Sequence, residues 1–203
     1  MDQEPETRAQ PVLTVAAIEA RLAAYRRVEV EPGSFARAGV AIVLRDTPGG
    51  PALVVIHRAH RSGDPWSGHM ALPGGRQHPE DPDLVTTASR ETREEVGLDL
   101  LRGGRVIGAL DDLRAIGGGR PLDLVITPFV FAFSGSHHLT PDHAEVQSAF
   151  WIPLASLRRP DARGTYRHQY AGYDLEHPAF LYEGYTIWGL THRILTRLLE
   201  ILA

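Results

Sequence analysis

Leu72-Pro73-Gly74-Gly75 and, about one helix length later, Arg90-Glu91-Thr92-Arg93-Glu94-Glu95-Val96-Gly97-Leu98 decide how this chain is read. Glu91, Glu94 and Glu95 stand at i, i+3 and i+4, so on an α-helix the three acids share one face. Like charges stacked this way repel by about 0.2–0.5 kcal/mol per pair unless a cation lies between them. Clustered carboxylates suit Mg²⁺ or Mn²⁺, hard ions that keep several waters and share the rest of their shell with substrate phosphates. The plainer alternative is a solvated acidic face. Against it, with residue frequencies near 5–8%, the string R-E-x-x-E-E-x-G arises by chance in roughly one chain of this length in ten thousand. The Pro-Gly-Gly turn is a second signal, because a residue without Cβ lets the backbone come close to a ligand.

Around this stretch lie 203 residues, enough for one substantial core and too few for two comfortable domains. An apolar fraction of 43% with 23% charged residues is ordinary for a globular protein. No apolar run approaches the length that spans a bilayer, and Met1-Asp2-Gln3-Glu4 is acidic, unlike a secretory signal. The expected compartment is therefore the cytoplasm, with no membrane partner. The absence of cysteine excludes disulfides, Cys-ligated zinc and a thiol nucleophile. Ten histidines invite zinc, but none forms an H-E-x-x-H pair, and His137, His138 and His143 lie in a polar stretch. A formal net charge of −4 leaves no basic footprint for a nucleic-acid polymer.

Along the chain, residues 1–12 are polar and proline-bearing and are expected to form a disordered tail. Residues 13–35 are expected to supply an N-terminal helix and linker, with Val15, Ile18, Leu22 and Tyr25 at helical spacing. Ala36–Leu44 and Ala52–Ile56 read as a hairpin-like pair of buried strands around the Thr47-Pro48-Gly49-Gly50-Pro51 turn. His57–Met70 reads as a polar loop. The acidic helix has Asp81 as its expected N-cap with Pro82 at the first helical position, and Gly97 as its stop. Val106–Ala115 and Leu122–Ser134 read as two strands separated by Gly117-Gly118-Gly119, and Phe150–Pro153 begins another element. Thr186–Leu202 carries apolar residues at helical spacing and is expected to be a closing helix. Strands interspersed with two or three helices indicate an α/β layered domain.

Arg90–Leu98 resembles the second half of the Nudix box, G-x5-E-x7-R-E-U-x-E-E-x-G-U, where U is a bulky apolar residue. Thr92 occupies the first U. Five residues separate Gly74 from Glu80, after which nine residues rather than seven precede Arg90. This longer form, P-G-G followed by acids at Asp81 and Asp83, is similar to the coenzyme A diphosphatase branch of the Nudix hydrolases. Ile126–Val130, Phe150–Leu154 and Ile187–Thr191 are also similar to that branch, so the resemblance runs from about Ala36 to the C-terminus. It implies a Nudix α/β/α sandwich with a mixed sheet and a loop–helix–loop box, over a hydrolase domain at 36–203.

The resemblance implies that Glu91, Glu95 and Glu94 ligate Mg²⁺ or Mn²⁺, with Glu91 and Glu95 the strongest pair and a carbonyl of Gly74 or Gly75 a further ligand. Arg90 resembles the box arginine that orients a glutamate. The base that takes the proton of the attacking water is left between Glu94 and Glu145. For substrate phosphate, Arg58 and Arg61 offer forked donors, and Trp66 offers a ring to stack or pack. The branch usually carries L-L-T-x-R-S-x-x-L-R-x-H-x-G upstream of PGG, whereas Gly63-Asp64-Pro65-Trp66 replaces its Leu-Arg-x-His part. The expected reaction is hydrolysis of the diphosphate of a small nucleotide linked to another moiety, coenzyme A foremost. An ADP-ribose or dinucleotide hydrolase is the runner-up, and a nucleotide-binding module without hydrolysis is a third reading. A homodimer is compatible with the sequence.

Overall fold

A computed structural model describes residues 13–31, 33–63, 66–117, 120–170 and 172–203. The expectations for the 1–12 tail and for Gly118-Gly119 lie outside the described residues. Helix α1 (Val15–Ala24) precedes strands β1 (Ala36–Arg45), β2 (Ala52–Arg58), β3 (Met70–Ala71) and β4 (Gly74–Arg76). Then come α2 (Leu84–Val96), α3 (Leu100–Gly103), β5 (Gly104–Ala109), β6 (Leu113–Gly117) and β7 (Arg120–Phe133). The chain continues through β8 (Val146–Pro153), α4 (Leu154–Arg158), β9 (Arg163–Tyr170), β10 (Tyr173–Tyr182) and β11 (Tyr185–Trp188). It closes with α5 (Gly189–Ile201).

The main sheet is mixed. Its path runs β3-β2-β1-β7-β5, with β4 also on β1, β6 on β7 and β8 on β2. β1 and β7 are parallel, and β1 and β2 pair antiparallel as expected. β1 is apolar along most of its length because both faces are covered. Ala41 and Val43 meet Ala88 and Val96 of α2 on one side. Ile42 and Leu44 share a core with Val15, Ile18 and Leu22 of α1 and with Ile194, Leu195 and Leu198 of α5 on the other. Fully burying each such side chain contributes about 1.5–3 kcal/mol. The layering is therefore α/β/α, as the resemblance implies. Among the described residues no helix is long and apolar enough to cross a membrane.

Three elements differ from the sequence reading. The expected strand Val106–Ala115 is split between β5 and β6, because Asp111 and Asp112 bind the linker instead. Asp111 accepts from Val28 N at 2.7 Å, and Asp112 accepts from Val30 N at 3.0 Å and Thr127 Oγ1 at 2.6 Å. Thr186–Trp188 belongs to β11 and not to the closing helix, which starts at Gly189. Ile187 is fully buried as its spacing required, but from a strand. β11 joins β10 and β9 in a separate three-stranded antiparallel sheet for which no element was expected.

Candidate active site

α2 lies almost directly on β1. A Cβ on Gly39 would fall inside 3.0 Å of the Leu84 carbonyl oxygen, so only glycine admits this approach. β1 also pairs with β4, placing Gly39 opposite Gly75 and Val40 opposite Gly74. The acidic helix and the glycine turn are thus brought together by one strand. Gly97, with φ 75°, ends α2 in the left-handed conformation expected of it.

The N-cap is a correction. Asp83, not Asp81, caps α2 by accepting from Thr86 N at 2.7 Å. Asp81 is buried and serves Arg90 instead, whose Nε and Nη2 donate to its two oxygens at 3.1 and 3.0 Å. His78 N and Thr87 Oγ1 donate to Asp81 Oδ2 at 3.0 Å each. The Arg90 guanidinium holds the Asp81 carboxyl well below the usual carboxylate range. Counted from Gly75 rather than Gly74, five residues lead to Asp81, the position of the first box acid, and eight then precede Arg90. The second glycine of the pair was the signal that could have found it.

Arg90, fixed from behind by Asp81, donates through Nη1 to Glu91 Oε1 at 2.9 Å and Glu94 Oε2 at 3.0 Å. Glu95 is 3% exposed and accepts from Gly74 N at 2.9 Å. Burial pushes its carboxyl up to about 8, opposed by the Gly74 N–H and by Arg58 and reinforced by the Glu91 charge. Burial also raises Glu91, against its bond to Arg90. A Cβ on Gly75 would fall inside 3.0 Å of the Glu91 carboxyl, so that carboxyl lies on the turn. Thr92 is fully buried in the position where the box has an apolar residue, its hydroxyl satisfied by Ala88 O at 2.6 Å.

The three glutamates are not equivalent. Glu91 and Glu95 meet at the Gly74-Gly75 turn, whereas Glu94 is exposed, and Arg90 pairs with both Glu91 and Glu94. The observed Gly74 contact to Glu95 is through its N–H. Among the described residues no three acidic or histidine groups form a closed cation cage. An Mg²⁺-type ion does not need one, because one or two carboxylates and substrate phosphates complete its shell. Buried Glu95 and half-buried Glu91, whose charged forms burial penalises, fit such an ion.

Glu145 lies near this pair, since its charge contributes to raising both Glu91 and Glu95. Its carboxylate binds Arg61 Nη2 at 3.1 Å, and Arg61 also donates to Ala144 O from Nε at 3.0 Å and Nη2 at 2.6 Å. Arg61 thus fixes the loop carrying Glu145. Arg58 ends β2 with its charge acting on Glu95. Trp66 is half-buried in the turn before β3, its carbonyl accepting from His69 N at 3.2 Å. Glu91, Glu95, Arg90 and Gly75 lie together in the structure, and Asp81, read in the sequence as a cap, joins them through Arg90.

A NUDIX domain profile matches residues 35–173. An uncharacterized protein of Schizosaccharomyces pombe is 42% identical over 116 residues, covering 56% of this chain and 35% of its own. The mitochondrial coenzyme A diphosphatase NUDT8 of Homo sapiens is 33% identical over 190 residues, covering 89% of this chain and 74% of its own. The chain therefore spans about a third of the first relative and three quarters of the second. A solved MutT/nudix family protein from Enterococcus faecalis superposes with a TM-score of 0.52 at 16% identity, over 93% of this chain and 67% of that one. That likeness concerns the fold alone.

Proposed function

The chain belongs to the Nudix hydrolase family, and from that premise we propose a divalent-metal-dependent hydrolase that splits coenzyme A into 3′,5′-ADP and 4′-phosphopantetheine. The observation that carries the reading is the meeting of Glu91 and Glu95 at the Gly74-Gly75 turn, with Arg90 locked behind them by Asp81. We take residues 36–203 as the hydrolase domain, with 13–35 packed on it.

Glu91 and Glu95 would hold the ion. When bound, an Mg²⁺ or Mn²⁺ ion neutralises diphosphate charge, makes water a better nucleophile and stabilises the departing phosphate. Arg90 fixes Glu91 and Glu94 through one nitrogen, Nη1. Arg58, whose charge acts on Glu95, would donate to a phosphate oxygen. Glu145 is the better candidate to take the proton of the attacking water, since its charge acts on both Glu91 and Glu95, whereas that of Glu94 acts on Glu91. Coenzyme A is favoured by the 33% identity to a coenzyme A diphosphatase over most of the chain. ADP-ribose or a dinucleotide is the second reading, favoured by the departure at Gly63–Trp66.

Coenzyme A and ADP-ribose offered together in millimolar Mg²⁺, with products identified by mass, separate these readings. The expected products are 3′,5′-ADP and 4′-phosphopantetheine. Preferential release of AMP and ribose 5-phosphate transfers the assignment to ADP-ribose, and no cleavage of either overturns the coenzyme A and ADP-ribose readings alike.

A further inference from the structure

β9, β10 and β11 carry a patch of rings that the acidic site does not use. Register pairs His177 with Tyr166 and Trp188 with Ala179, so Tyr166, His168, His177 and Trp188 share one face of this sheet. Phe180 and Ile187 point the opposite way, into the core. Tyr166 stacks on Trp188 with centroids 4.2 Å apart at 18°, and His168 on His177 at 5.2 Å and 19°. His69 meets the Trp188 ring edge-on at 4.8 Å. All five rings are half-buried, leaving part of the patch open.

Cross-strand packing explains why rings gather here. It does not explain His168 Nδ1, which is buried with no hydrogen-bond partner among the described residues. A buried polar atom left unpaired is costly, and it is satisfied when a ligand brings the missing group. The patch is also continuous with the site. Arg58 N, at the end of β2, donates to His69 O at 3.0 Å, so the residue whose ring meets Trp188 is bonded to the sheet that carries the glycine turn.

We propose that Tyr166, His168, His177 and Trp188, with His69, form the subsite that stacks the purine base of the nucleotide, with His168 Nδ1 bonding its polar edge. A purine suits because it presents a flat face together with both donors and acceptors on its rim, so either tautomer of His168 finds a complement. This deepens the hydrolase reading by assigning its base-recognition surface.

The test is equilibrium binding to the full chain of AMP and of ribose 5-phosphate, probes that differ only in the base and contain no diphosphate to cleave. Wild type should bind AMP at least about tenfold more tightly than ribose 5-phosphate. Trp188→Leu should erase that preference. His168→Phe, which keeps a ring and removes the nitrogen, should weaken AMP about threefold or more and leave ribose 5-phosphate unchanged. Equal affinity for the two probes in wild type, or a preference surviving in the variants, overturns the subsite. Should Trp188→Leu fail to fold, the wild-type comparison and His168→Phe decide it. Binding is read without turnover, so failure to cleave coenzyme A would contradict the hydrolase assignment and leave this result standing.

Discussion

Glu95→Gln is expected to fold normally and to lose at least about a thousandfold in kcat, equivalent to about 4 kcal/mol of transition-state stabilisation. The two halves of this expectation have separate causes. The fold survives because glutamine is nearly isosteric, and its amide oxygen can still accept from Gly74 N, 2.9 Å from the present carboxylate oxygen. The Glu95 carboxyl, pushed up to about 8 by burial, already favours its neutral form without a cation, so a neutral amide is a small change to packing. Activity falls because an amide supplies no anionic ligand to a hard ion. Far-UV circular dichroism and steady-state kinetics in millimolar Mg²⁺ check both halves. A variant that turns over at near wild-type rate removes Glu95 from the site.

Substitution of the two glycines should divide along the same line. An alanine Cβ at Gly75 would meet the carboxyl group of Glu91, the far end of a flexible side chain that can swing aside. Gly75→Ala should therefore cost about 1 kcal/mol or less in stability, yet reduce kcat at least about a hundredfold by displacing a ligand. At Gly74, φ is 148° and the Cβ would meet Gly39 O and Val40 Cα, which belong to a central strand and cannot yield. Gly74→Ala should destabilise by about 2–4 kcal/mol. Denaturant melts and kinetics on both variants check this. Equal stability losses, or full activity in Gly75→Ala, would place the Glu91 carboxyl elsewhere.

Much of this arrangement is legible in the chain because it is local. Spacing i to i+4 on one helix sets Glu91 and Glu95 side by side, and Gly97 ends that helix whatever surrounds it. The buried strands β1 and β2 are apolar because helices cover both faces, and that pattern survives without knowing which helices. What was not legible depends on tertiary partners. Asp81 looks like a cap by position, and apart from its distance from Gly75 nothing local announces that Arg90 has claimed it. Asp111 and Asp112 interrupt an apolar run to bind Val28 and Val30 about eighty residues away, a pairing no local pattern announces. Ile187 sits at a helical interval from Leu190 and Ile194, and burial alone cannot say whether a strand or a helix delivers it. β9 holds no aliphatic residue, and Pro178 interrupts β10, so neither presents the unbroken aliphatic run of a buried strand.

The central claim is that Glu91 and Glu95 at the glycine turn hold a divalent cation, and a thermal melt in the presence of Mn²⁺ tests it without reference to any substrate. An ion that binds only the native state adds about 2.7 kcal/mol at a hundred times its dissociation constant. For a chain of this size that is a rise of about 5–10 °C in Tm. Wild type should show this rise and Glu91→Gln should lose it. A wild-type melt unmoved by millimolar Mn²⁺, or an equal rise in Glu91→Gln, would contradict the claim.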